Sequence, residues 1–256
     1  MTIRVPPAEA AYVDSVVRRL RAMLGEELIG VYPTGSLALD GYTPGRSDID
    51  LIAVVDRTPP PETLTEIASR LAHDRLPCPA TGLEFVLYPS GTARAGRVDA
   101  GYVLDLNTGR ELPSKVSLDP SDGPGFWYAI DRSITCQSGT ALTGPDPRTV
   151  LRPVPFDALL PVVVESIEAH LAATAEHGDN SVLNGCRALR FAAQRRWHAK
   201  PDAARWARSA APAHAGLIDA AIASHAAGRA AGRAVPAAEV AAFLGYVLSR
   251  LRAASQ

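Results

Sequence analysis

The stretch VYPTGSLALDGYTPGRSDIDLIAVV, Val31 to Val55, decides how this chain is read. Eleven residues separate the Gly35-Ser36 pair from Asp48, and Asp48 and Asp50 alternate with Ile49 and Leu51. On a strand this alternation sends both carboxylates to one face and both aliphatic side chains to the other, buried face. Two like charges so close repel unless a cation lies between them. A hard oxygen donor set selects Mg²⁺, which accepts one or two carboxylates together with water and phosphate oxygens. Upstream, residues 28–32 form a short strand, and Thr34, Gly35 and Ser36 form a turn whose N–H groups and hydroxyls can cradle phosphate before a helix begins. Gly35 is the position that lets the backbone come close.

An Asp-x-Asp pair alone is often only a solvated strand end, so the longer string carries the weight. GSLALDGYTPGRSDIDL resembles the signature of the nucleotidyltransferase superfamily that includes DNA polymerase β and the antibiotic nucleotidyltransferases. A site of that kind needs a third acid, to complete metal coordination or to deprotonate an attacking hydroxyl. LEFVLY, residues 83–88, supplies Glu84 within an otherwise apolar strand, where an ionised side chain is costly unless it faces a metal or a polar cleft. The alternative for Glu84 is an edge-strand acid facing water.

Composition narrows the function classes. The chain has 256 residues, long enough for one large or two modest domains, and a net charge of −1. That balance argues against a dedicated nucleic-acid binder. Residues 1–150 hold 14 Lys/Arg against 19 Asp/Glu, and residues 151–256 hold 12 against 8. An acidic metal-binding half facing a basic half would suit a metal-triphosphate held between them. Cys78, Cys136 and Cys186 are widely spaced, which indicates neither a disulfide framework nor a zinc site and fits buried fillers in a reducing compartment. The first residues lack the apolar core of a signal peptide, and no run of eighteen apolar residues occurs. The expectation is a cytoplasmic protein with no membrane partner and no nucleic-acid partner, working as a monomer.

Apolar spacing places an amphipathic helix over residues 9–24, strands over 28–32, 49–55, 83–88 and 102–106, and helices over 62–73 and 127–142. Asn107-Thr108-Gly109 is expected to end the fourth strand, and residues 142–147, extended through Pro153 and Pro155, to form a linker. Beyond Phe156 no strand-like run remains, and alanine fills 30 of the last 106 positions, which favours helix. One helix should bury Phe156, Leu159, Leu160, Val163, Val164, Ile167 and Leu171; another Val182, Cys186, Leu189, Ala193 and Trp197; a last one Val240, Phe243, Leu244, Val247 and Leu251. The fold class is thus α+β: residues 1–150 a nucleotidyltransferase domain with a mixed sheet flanked by helices, and residues 151–256 an all-α bundle that clamps substrate and ATP. Arg187 is expected opposite the Cys186–Leu189–Trp197 stripe, with Lys200 in the loop after it; both could point toward the cleft between domains.

Across nearly its full length the chain resembles the aminoglycoside 3''-adenylyltransferases, the streptomycin/spectinomycin adenylyltransferase family, through GS…SDIDL, LEFVLY, ALTGP, VLNGCRALR and the lysine six residues before Trp206. The resemblance implies ATP as co-substrate with two Mg²⁺ ions, and transfer of AMP to a hydroxyl of an antibiotic, conferring resistance. It implies that Gly35, Ser36 and Ser47 contact the triphosphate, that Asp48, Asp50 and Glu84 hold the metals, that Glu84 is the general base, and that Arg187 and Lys200 clamp phosphates. It brings Asp131 and Asp179 toward the acceptor, with Trp127 as a stacking surface or a core residue. Streptomycin-modifying members place a tryptophan after the glutamate strand; here that stretch reads YVLDLNTGRELP. Spectinomycin is therefore favoured over streptomycin, with Asp105, Glu111 and Asp131 as carboxylates for a cationic acceptor. Transfer to another small molecule, a protein or RNA, and a catalytically silent binding or antitoxin-like module, are the alternatives.

Overall fold

A computed structural model describes residues 4–228 and 235–254, with the side chains of 174–177 left aside. The chain divides into two compact units, Met1–Val154 and Pro155–Gln256.

The first unit is built on one five-stranded sheet in the order β1 (Leu28–Pro33), β2 (Ile49–Val55), β3 (Leu83–Pro89), β4 (Leu104–Thr108) and β5 (Lys115–Ser117). Neighbours are antiparallel except β2 and β3, which run parallel and are joined through α3 (Pro61–Leu71). A parallel pair needs such a crossover, whereas the antiparallel pairs close through shorter connections. One sheet face buries Ile49, Leu51, Ala53, Phe85, Leu87, Leu104 and Leu106 beneath α1 (Pro7–Leu24) and α3, whose Val13, Val16, Leu20, Ile67 and Leu71 are almost wholly buried. The other face packs Tyr32, Ile52, Val54, Val86 and Tyr88 against Tyr128 and Cys136 of α5 (Phe126–Ser138). α2 (Gly35–Ala38), α4 (Ser90–Ala95) and α6 (Pro147–Val150) are short connecting turns of helix.

Three details depart from the periodicity. β4 begins at Leu104 and includes Asn107 and Thr108, because Gly101, at φ +55°, turns the chain before Tyr102 and the pairing with β3 runs on to Leu83↔Thr108. β5 is too short and too polar to show alternation. Helix α5 stops at Ser138, and the segment expected as linker folds back: Val31 and Thr143 form a bridge, with Leu142 N–H donating to Val31 C=O at 2.9 Å. All three cysteines are buried thiols; desolvation pushes Cys78 up to about 11 and Cys186 up to about 12.

The second unit contains α7 (Phe156–Ala172), α8 (Thr174–Gln194), α9 (Lys200–Ala210), α10 (Ala215–Ala226) and α11 (Ala237–Ala254), and among its described residues no strand. α7 buries Leu159, Leu160, Val163 and Ile167 as its spacing predicts, but Val162 in place of Val164, together with Ser166 and His170. The polar pair has partners: Ser166 donates to Val163 C=O, and the two ring nitrogens of His170 meet Ser181 Oγ at 3.3 Å and Asn184 Nδ2 at 2.9 Å. Buried polar groups of this kind are tolerated because they are hydrogen-bonded. On α8, Val182, Cys186 and Leu189 are buried as expected, whereas Ala193 is exposed and Leu183 and Phe191 join the core.

Candidate active site

Parallel pairing brings together two acids far apart in sequence. Asp50 stands directly opposite Glu84 in the β2–β3 register, and Asp48 precedes β2 on the same face, so one carboxylate oxygen from each of the three lies within 4.8 Å of the others. Ile49 and Leu51, between and beyond the aspartates, are fully buried on the opposite face, as the alternation requires. Each acid is only partly buried, so the cluster is reachable.

Above it lies the turn. Thr34 N–H donates to Asp50 C=O at 3.0 Å, which fixes the start of α2 to β2. Gly35 has φ +52°, and a Cβ there would fall 2.0 Å from Asp50 Oδ2. No side chain fits, and the space beside the carboxylate stays open. Ser36 Oγ is buried and makes no hydrogen bond to protein. Leaving such a hydroxyl unpaired costs roughly 1–3 kcal/mol, a cost a phosphate oxygen would offset. The loop that delivers Asp48 is held at two points: Ser47 Oγ accepts from Thr43 N–H at 3.0 Å, and Tyr42 donates to Glu9 of α1 at 3.1 Å. Ser47 thus uses one of its two acceptor lone pairs on its own loop and has a hydroxyl proton to donate. The donor set is all oxygen and carries three formal charges, which suits a hard divalent cation.

The other expected site residues are placed as follows. Asp131 lies on α5, its backbone carbonyl accepting from Thr34 Oγ1 at 3.0 Å, so the helix is fastened to the turn. Trp127, one helical turn earlier, is 36% exposed with its ring edge-on to Phe126, a surface ring instead of a core one. Arg132, next in sequence, is buried, donates to the carbonyls of Arg97, Asp99 and Ala100, and lies over the Tyr88 ring. Asp105 is not available to a cationic acceptor, because it is 5% exposed and its Oδ2 accepts from both Lys115 Nζ at 3.1 Å and Tyr128 OH at 3.0 Å. Glu111 sits in the exposed β4–β5 connection, 3.7 Å from Arg110.

In the helical unit, Arg187 does not point away from Trp197: its guanidinium lies 5.8 Å from the centre of that ring, which itself stacks on Phe191 at 4.0 Å. The aromatic turns back because Arg195 takes a left-handed conformation after α8, a feature that helical spacing cannot anticipate. Lys200 opens α9 instead of lying in a loop, and its Nζ donates to Asn180 Oδ1 at 2.8 Å. Asp179 lies within α8, not ahead of it, and accepts from Ser224 of α10 at 2.7 Å.

Residues 13–76 match the family described as nucleotidyltransferase domain, and residues 149–250 match the family described as aminoglycoside adenylyltransferase, C-terminal domain. Among solved structures the fold is similar to that of spectinomycin adenyltransferase AAD(9) from Enterococcus faecialis, determined with ATP and spectinomycin. The TM-score is 0.70 at 18% identity, over 94% of this chain and 98% of that one. No curated protein sequence matches the chain. The N-terminal match, over the segment that carries the phosphate turn, Asp48 and Asp50, defines the class: a nucleotidyltransferase enzyme. With the C-terminal match in the same chain, the protein belongs to the aminoglycoside adenylyltransferase family. Among the described residues no helix is long and apolar enough to cross a membrane.

Proposed function

We propose that the protein transfers AMP from Mg-ATP to a hydroxyl of a spectinomycin-type aminocyclitol and so confers resistance to it. The observation that carries this reading is the convergence of Asp48, Asp50 and Glu84 within 4.8 Å beneath a glycine turn that no side chain could replace. Glu84 accepts the proton of the acceptor hydroxyl while its oxygen attacks the α-phosphorus; the new P–O bond forms as the bond to the bridging oxygen breaks, and pyrophosphate leaves. Two Mg²⁺ ions held by Asp48, Asp50 and Glu84 supply charge neutralisation at the phosphates when bound. Gly35 and Ser36 position the triphosphate through backbone N–H and the buried hydroxyl, and Ser47 adds a donor. Arg187, which lies over the Trp197 ring, and Lys200 are assigned to the phosphates. Positioning and electrostatics provide most of the rate gain.

Spectinomycin is preferred because AAD(9), whose fold this chain shares, was determined with it. The stretch after the Glu84 strand also lacks the tryptophan of streptomycin-modifying relatives. Trp127 would offer its exposed ring to the acceptor, with Asp131 and Asp179 as its acids. Replacing Glu84 by Gln keeps the shape and removes the base. The variant should bind Mg-ATP yet lose roughly 10²–10⁴-fold in transfer, read as AMP-modified product by mass spectrometry. Near-wild-type transfer by that variant would overturn the assignment of the base. No product from wild type with any aminocyclitol would overturn the acceptor.

A further inference from the structure

Glu84 belongs to a transverse row of side chains. Register pairs Asp50 with Glu84, Glu84 with Asn107, and Asn107 with Lys115. Residues directly opposite on adjacent strands share a face, with Cβ atoms about 5 Å apart. On one flank of Glu84 stand the aspartates; on the other stand an amide and then an ammonium. Asn is disfavoured within strands, and this one interrupts the apolar alternation of β4 while remaining partly exposed. Lys115 is not a loose surface cation: Asp105, buried and also bonded to Tyr128, anchors it beside Asn107.

We propose that Asn107 is an acceptor-binding residue. Its side-chain amide hydrogen-bonds a second oxygen of the acceptor, next to the hydroxyl whose proton passes to Glu84. With Lys115 behind it, this flank selects an uncharged edge of the acceptor, bearing hydroxyl or carbonyl oxygens, over a guanidinium. The inference rests on the transferase reading above and deepens it.

The argument is one of place and charge. The aspartate flank serves metal and phosphates, so an acceptor delivering its proton to Glu84 arrives from the opposite flank, where Asn107 is the first side chain met. An amide both donates and accepts, which matches adjacent hydroxyl or carbonyl oxygens without a net charge. Beyond Glu84, which is engaged with the reacting hydroxyl, a guanidinium there would find Asp105 already paired with Lys115 and would be repelled by the ammonium.

The test uses the full-length protein, Mg-ATP and two acceptors, spectinomycin and the guanidinium-bearing streptomycin. Losing one neutral hydrogen bond should raise the KM for spectinomycin about three- to tenfold in Asn107→Ala, with the KM for ATP unchanged. In Asn107→Asp, which adds a carboxylate of the same size, the ratio of kcat/KM should move toward streptomycin. Thermal melting of both variants checks folding, and the ATP KM distinguishes acceptor binding from general damage to the site. Wild-type transfer with unchanged acceptor KM in Asn107→Ala overturns this inference alone, as does an effect confined to the ATP KM. No transfer by wild type to either acceptor overturns both readings.

Discussion

Asp50 Oδ2 lies 2.0 Å from the point where a Cβ on Gly35 would stand, so the turn and the second aspartate approach more closely than any other residue pair type would allow. Gly35→Ala must therefore push the carboxylate aside and also pay about 1–2 kcal/mol for a left-handed backbone. A displacement near 1 Å in such a site costs on the order of 100-fold. Transfer should fall by about that factor while the circular dichroism spectrum stays native; a variant with wild-type kcat/KM would refute the role given to the turn.

Mg-ATP should stabilise the protein in a metal-dependent way. At about 100 times its dissociation constant a ligand specific to the folded state adds about 2.7 kcal/mol. The melting temperature should rise with Mg-ATP and return to that of the free protein with a chelator. In Asp50→Asn the shift should be largely lost, because the acid lying directly against the Gly35 turn, where the triphosphate is placed, loses its charge. An equal shift with ATP in chelator would contradict the metal reading.

Tyr42 and Glu9 tie the Asp48 loop to α1. Tyr42→Phe removes the hydroxyl and leaves a 7% exposed carboxylate short of a partner. The expected cost is about 1–3 kcal/mol in urea unfolding, accompanied by weaker Mg-ATP binding, as the loop carrying Asp48 loosens. Unchanged stability and unchanged binding would show that the loop is held elsewhere.

Trp197 is 3% exposed between Phe191 and Arg187. Trp197→Ala should destabilise by about 3–5 kcal/mol. Arg187→Lys keeps the charge but loses the flat guanidinium against the ring, so it should weaken ATP binding with little loss of stability. Equal ATP affinity for Arg187→Lys would argue for a purely structural arginine.

His198 provides a pH signature. Burial, then Arg190 and Arg196, hold its imidazole below the usual value, and its Nε2 is buried without a partner. A depressed folded pKa means that the unfolded chain binds the proton more readily. The neutral form's contribution is complete above about pH 6.5 and is lost as pH falls through the folded value. Melting temperature should drop between pH 7 and pH 5 more steeply in wild type than in His198→Gln; parallel curves would exclude this residue.

Much of this architecture could be read from residues alone, where one pattern had one physical solution. Asp48, Asp50 and their intervening aliphatics fixed a strand with an acidic face, and LEFVLY fixed its partner. What escaped depended on contacts between distant segments. β5 has only three residues. The return of Thr143 to Val31 and the turn that lays Trp197 against Arg187 are tertiary events without a local period. In the sequence Asn107 reads as strand punctuation, because its residue type favours turns; its place in the row beside Glu84 emerges only from the partner across the ladder.

The parallel alignment of β2 and β3 has a genetic corollary. Seven consecutive paired positions tie the two strands together, and inserting or deleting a single codon within β3 would rotate Glu84 to the oily side of the sheet. The connections flanking α3 lie outside that pairing and can drift in length, whereas α3 itself is held by its buried Leu64, Ile67 and Leu71. In-frame indels among natural variants should therefore accumulate in those connections and be purged from the seven paired codons of each strand.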